Sequence, residues 1–215
     1  MDLNNDIVYF IGCSFTAGNS LPDETGDRYS TLLGNIWNKT VINDAIGGGS
    51  NDYIFHQTMR GILKHKPKTA IIQWTQSSRF ELYTREEFWN SRNMVLQINA
   101  NFTERDPNKF IDEYYKMWWD EEHSFKKWIL DTIALQMFLK QMGINYYMMN
   151  AFGTQELYDK YPMSEFEYID KDRYLEWPDD TFLNWAGNFP KMPDGHPGPD
   201  AHKHVANKIS EIVKF

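Results

Sequence analysis

The chain has 215 residues, 41% of them hydrophobic and 16% aromatic, so it is long enough and apolar enough to fold around a full core and is not a disordered chain. Its formal net charge of −8 disfavours nucleic-acid backbones and anionic membrane surfaces as partners. One cysteine, Cys13, excludes an intramolecular disulfide, and no apolar run approaches the roughly 20 residues needed to span a bilayer.

The N-terminal stretch Met1-Asp2-Leu3-Asn4-Asn5-Asp6 is polar and acidic, without the positive and apolar regions of a signal peptide. The expectation is a cytoplasmic protein. Ile7 to Ile11 is a continuous β-favouring run, as in a strand covered on both faces. It runs into Gly12-Cys13-Ser14-Phe15-Thr16-Ala17-Gly18, where small residues permit a tight turn that lifts Ser14 above the strand end. A helix follows over about Asp27 to Trp37. Thr40 to Ile46 reads as a second strand, ending at Gly47-Gly48-Gly49-Ser50-Asn51, where Ser50 or Asn51 caps a helix over about Asp52 to Lys64. Pro67 ends that helix region, and Thr69 to Thr75 reads as a third strand. Alternating strands and helices imply a parallel sheet with right-handed crossovers.

From about 76 to 124 the periodicity loosens into an irregular or helical insertion rich in aromatics: Phe80, Tyr83, Phe88, Trp89, Tyr114, Tyr115, Trp118 and Trp119. Ser124 to Met142 is the clearest helix, with apolar residues at helical spacing and Gly143 as its stop. Asn145 to Phe152 reads as a fourth strand. A second aromatic insertion covers about 153 to 193. Each insertion serves either core packing or a ligand-lining role. The chain closes with Asp194-Gly195-His196-Pro197-Gly198 and a helix from about Pro199 to Val213. The whole reads as one domain, 1–215.

The first block resembles that of the GDSL/SGNH hydrolase superfamily, G-D-S-L-T-x-G: Gly12, Ser14, Thr16 and Gly18 match, while Cys13 and Phe15 replace Asp and Leu. His196-Pro197 resembles the H-P pair of the family's last block. The resemblance implies a flavodoxin-like α/β/α sandwich with a mostly parallel sheet and a serine esterase with no cofactor. In it Ser14 is the nucleophile and His196 the base, because serine needs a group to take its proton. The family's Asp stands three residues before the His, where this chain has Pro193. Asp194, two residues before, is the orienter; otherwise Asp194 is a turn residue and the enzyme works as a Ser-His dyad. A metal site from His196, His202 and His204 has no HExxH signature behind it, so no metal is expected.

By the same resemblance the backbone N–H groups of Ser14 and Gly48 form the oxyanion hole. The family's third block, G-x-N-D, is absent. Ser77 takes the Asn position and Gln76 has the amide chemistry. Arg79 either clamps an anionic group of a substrate or pairs with an acid such as Glu81. The implied partner is a small-molecule or carbohydrate ester, with O-acetyl groups suggested by the aromatic excess. Acyl transfer on the same scaffold and a non-catalytic carbohydrate-binding or structural role are the rivals. The oligomeric state is not legible.

Overall fold

The computed structural model describes residues 3–83, 95–98, 109–179 and 181–215. Strand β1 (Asn4–Ile11) leads into a single helical turn, α1 (Ser14–Ala17), then α2 (Tyr29–Trp37), β2 (Thr40–Asn43), α3 (Asn51–His65) and β3 (Pro67–Trp74). The short strands β4 (Phe80–Tyr83) and β5 (Val95–Ile98) follow, then α4 (Lys109–Met117), α5 (Glu121–Gln141) and β6 (Asn145–Asn150). Helices α6 (Gln155–Lys160), α7 (Thr181–Ala186) and α8 (Pro199–Ile212) complete the order, with two 3-10 turns between α6 and α7.

Four strands form one parallel sheet in the order β2-β1-β3-β6. Alternate side chains leave a strand on opposite faces, so each strand feeds two cores. Val8, Phe10, Ile71, Tyr147 and Met149 pack on one face with Tyr29 and Leu33 of α2, Phe182 and Trp185 of α7, and Val205 and Ile209 of α8. Tyr9, Ile11, Ala70, Ile72, Trp74 and Met148 pack on the other with Ile54 and Ile62 of α3 and Phe125, Trp128 and Leu139 of α5. Two cores on a shared sheet make the three-layer α/β/α sandwich that the resemblance implies, around the parallel sheet expected from the strand–helix alternation. Burying each large apolar side chain contributes roughly 1.5–3 kcal/mol relative to exposure. That is why β1, doubly covered at Val8 to Ile11, reads as an unbroken apolar run.

Three features stand out against the sequence expectation. β2 stops at Asn43, because the Asn43 side chain accepts a hydrogen bond from the Ala45 N–H (3.0 Å) and turns the chain out of the ladder. Helix α3 ends at Lys66, whose N–H donates to the Ile62 carbonyl from a left-handed conformation (φ +50°), and Pro67 opens β3 instead of ending the helix. The first insertion contains an antiparallel strand pair, Phe80 opposite Ile98 and Tyr83 opposite Val95. Four-residue strands are too short for alternation to stand out in the sequence. Phe88 and Trp89 lie outside the described residues.

Several aromatics of the second insertion pack into the core. Tyr158 packs on Phe125, Phe166 and Trp177, with ring centroids 4.7–5.2 Å apart, and Trp177 meets Tyr174 at 4.8 Å.

Candidate active site

In an open parallel sheet, the crevice lies at the carboxyl ends of neighbouring strands whose crossovers leave in opposite directions. Here that point lies between β1 and β3, because β2 flanks β1 on one side and β6 flanks β3 on the other. Ser14 sits directly beyond β1. It opens α1, which cannot continue because Gly18 adopts φ +86° and donates its N–H back to the Ser14 carbonyl (2.9 Å). A Cβ at residue 18 would stand 2.4 Å from the Glu24 carbonyl oxygen, so the turn demands glycine.

Side chains from β3 and α2 hold the turn. Thr16 Oγ1 donates to Gln73 Oε1 (2.8 Å) and lies 2.9 Å from the Tyr29 hydroxyl, and Cys13 Sγ lies 3.6 Å from the same Gln73 oxygen. Burial pushes the Tyr29 hydroxyl well above its usual range, so it stays protonated at any physiological pH. The Gln73 Nε2 is buried with no partner among the described residues.

The last block returns to this turn. The His196 ring stands edge-on to Phe15, next in sequence to Ser14, with centroids 5.8 Å apart and planes at 90°. Asp194 Oδ2 lies 2.9 Å from His196 Nδ1, close enough for the carboxylate to orient the ring. Asp194 also accepts from the His196 backbone N–H (3.1 Å) and from the Ser20 hydroxyl. The Ser20 hydroxyl, then the His196 N–H and ring, hold the Asp194 carboxyl below its ordinary range. The carboxylate therefore reaches both His196 and the loop after Ser14 from two residues upstream. Among the described residues no hydrogen bond joins Ser14 Oγ to His196. Catalytic hydrogen bonds of unliganded enzymes are often long and tighten with substrate.

His202 stands apart from solvent in α8. Its Nδ1 accepts the Tyr29 N–H (3.2 Å), and its ring stacks on Tyr29 and meets Phe182 edge-on. Burial, with the nearby His196 charge second, pushes it down to about 4. It is a neutral packing histidine that holds α8 against α2. Among the described residues no group of three His, Cys, Asp or Glu side chains gathers to hold a metal.

The loop after β2 lies against the Ser14 turn. The Ile46 N–H donates to the Gly12 carbonyl (3.4 Å), and a Cβ at residue 49 would stand 3.2 Å from that same oxygen. Gly48 adopts φ +72°. The sequence offers Asn51 only as a candidate cap, a position that Ser50 fills by accepting from the Tyr53 N–H (3.1 Å). Asn51 instead clamps the end of β3: its Oδ1 accepts from the Thr75 N–H (2.8 Å) and its Nδ2 donates to the Thr75 carbonyl (3.1 Å).

Gln76 and Ser77 follow that clamp and line a cavity of about 230 Å³ with Trp119, Trp128, Phe152 and Thr154. A second cavity of about 210 Å³ shares Ser77, Trp119 and Trp128 and adds Arg79, Phe80 and Tyr114. Arg79 donates to the Gly49 carbonyl (3.4 Å) and stands 5.2 Å over the Phe152 ring, which packs on Phe15. Glu81, one of its expected acids, faces His56 at 2.5 Å. Among the described residues no carboxylate lies within ion-pair distance of Arg79, and its Nε has no partner.

Sequence reasoning missed Ser20, which lies 174 residues from Asp194 and carries no motif, and the Phe15–Phe152 contact that links Arg79 to the turn. No helix among the described residues is long and apolar enough to cross a membrane.

A model described as a family of unknown function (DUF6071) matches residues 25–179, and the chain belongs to that family. No curated protein sequence matches it. Solved structures share its fold. A catalytic mutant of Axe2, an acetylxylan esterase from Geobacillus stearothermophilus, superposes with a TM-score of 0.61 at 13% identity, covering 100% of this chain and 96% of that one. The psychrotrophic esterase EstA from Pseudoalteromonas sp. gives 0.56 at 14% identity, covering 97% and 96%. A Desulfitobacterium hafniense DCB-2 protein assigned to the G-D-S-L family of lipolytic proteins gives 0.57 at 15% identity, covering 97% and 100%. The chain thus has the α/β fold of GDSL/SGNH esterases.

Proposed function

We propose that the chain is a serine ester hydrolase of the SGNH type, with Ser14 as nucleophile. The observation that carries this reading is the meeting of Asp194, His196 and the Ser14 turn at the carboxyl end of β1, brought together from opposite ends of the sequence. His196 takes the Ser14 proton as Ser14 Oγ attacks the ester carbonyl. Asp194 holds the imidazole through Nδ1 and favours the imidazolium that forms. The N–H groups of Ser14 and Gly48 stabilise the oxyanion, with Gln76 or Ser77 in place of the family's Asn. The alkoxide leaves with the proton from His196, and water, activated by the same imidazole, releases the acyl group.

Arg79 binds an anionic group of the substrate. Its cation has no carboxylate partner among the described residues and faces the cavity that Ser77 and Trp119 line. The half-buried rings of Tyr114 and Trp119 that line this cavity suit a sugar ring, which favours an acylated carbohydrate, and the acetylxylan esterase among the similar folds points the same way.

Stoichiometric labelling with a fluorophosphonate tests the mechanism. Wild type is expected to label once, and Ser14→Ala and His196→Ala not at all. A folded wild type that never labels supports a binding role for the cleft instead.

A further inference from the structure

A second hollow lies at the opposite end of the sheet, roughly 20 Å from Ser14 along β1. Its volume is about 330 Å³, within the range of small-molecule sites. It is built where the strands begin: Asn5 of β1, Lys68 and Thr69 of β3, Asn145 and Tyr147 of β6, with Lys39, Arg173, Lys214 and Phe215 around it. Four of these side chains are cations, and none of its described lining side chains is acidic, in a chain of net charge −8. Like charges gathered around a hollow repel one another unless something between them offsets the repulsion.

Their present partners leave most donors free. Lys39 donates to the Asn5 carbonyl (2.9 Å) and stands 3.8 Å from Asp6, whose side chain is exposed. Lys68 makes one long contact, 3.5 Å, to the Gly143 carbonyl. Lys214 Nζ donates to the Glu211 carbonyl (2.9 Å) at the end of α8, as cations do at helix C-termini. Arg173 uses one nitrogen on Asn145 Oδ1 (2.7 Å) and lies 5.4 Å over the Tyr147 ring, which orients its guanidinium. The nearby Asp170 is held by Lys140 at 3.0 Å. An independent observation points the same way. Thr69, 1% exposed, is among the residues around the hollow, and its buried Oγ1 has no hydrogen-bond partner among the described residues. A buried hydroxyl without a partner costs free energy that a bound acceptor restores.

We propose that this hollow binds a phosphorylated small molecule. The Arg173 guanidinium offers a fork matched to a phosphoryl group, while Lys68 and Lys214 supply point charges. Thr69 Oγ1 donates to one phosphoryl oxygen, and Phe215 and Asn5 face the organic body. The site is independent of the Ser14 chemistry and links the protein to phosphorylated metabolites.

The test is calorimetric titration of the full chain at low ionic strength with glucose 6-phosphate, inorganic phosphate and glucose. Glucose 6-phosphate is expected to bind with a Kd on the order of 0.1 mM, and glucose not at all. Lys68→Gln and Arg173→Gln are expected to weaken binding about tenfold or more while leaving Ser14 labelling unchanged. Lys68→Gln removes only an exposed side chain with one long contact, so it decides the matter even if Arg173→Gln fails to fold. Tighter binding of the sugar phosphate than of inorganic phosphate supports the proposal, and equal affinity overturns it in favour of a site for the free ion. No heat with either phosphate to about 10 mM, or unchanged affinity in folded Lys68→Gln, overturns it.

Discussion

His202 makes stability depend on pH in a way that its position dictates. It is 1% exposed, between Tyr29 and Phe182, with Nδ1 already accepting the Tyr29 N–H. Protonating Nδ1 would turn an acceptor into a donor facing a donor, inside a core that cannot solvate the charge. Its affinity for the proton is accordingly pushed down to about 4 from 6.5. The unfolded chain then binds a proton on His202 at a pH where the folded chain does not. The stability that His202 contributes is complete above about pH 6.5 and is lost as pH falls toward 4. Linkage puts the loss at about 2 kcal/mol between pH 7 and pH 5, with a ceiling of about 3 kcal/mol below the folded value. Urea unfolding of wild type and His202→Gln, at half-unit steps from pH 5 to 7.5, measures it. The variant will be less stable at pH 7 through lost stacking, but its profile should be flatter by about 2 kcal/mol over that interval. Parallel profiles would refute the argument, because they would mean that His202 titrates alike in both states.

Two further outcomes follow from the site. Asn51→Ala removes both hydrogen bonds to the Thr75 backbone and leaves that buried N–H unpaired, so unfolding free energy should fall by about 2–3 kcal/mol; chemical denaturation measures it, and a loss below about 0.5 kcal/mol would mean that the clamp is dispensable. Asp194→Asn keeps the shape but removes the charge beside His196, so the rate of fluorophosphonate labelling at Ser14 should drop on the order of 100-fold; an unchanged rate would identify a Ser-His dyad.

What the sequence disclosed about this fold was set by local physics. The apolar run before Gly12 needs only its own composition to be read as a doubly covered strand, and the spacing of Phe125, Trp128, Ile129 and Leu139 needs only the helical period. The strand pair of β4 and β5 was hidden because four residues of alternation are no more than chance supplies. The early end of β2 was hidden because it depends on one side chain, Asn43, turning back on its own backbone.

The two ends of the candidate site were legible for a further reason. A serine on a turn after a strand and a histidine before a terminal helix are each marked by their immediate neighbours, and the sheet order then brings them to one edge. The middle of the site has no such marking. Gln76, Ser77 and Arg79 acquire their setting from Asn51 gripping Thr75 and from Phe152 lying between Arg79 and Phe15, contacts between segments 24 and more than 70 residues apart. Asp194 shows the same limit from the other side. Counting residues back from His196 casts doubt on its reach, because the family's spacing differs by one. In the folded chain Gly195, at φ +89°, folds the pair back so that the carboxylate lies 2.9 Å from the ring while still holding Ser20. A turn that only glycine takes readily recovers the missing residue of spacing. The Asp-Gly-His triplet is therefore a shorter route to the same contact, and the number of intervening residues is a poorer guide to that contact than the conformation of the one between them.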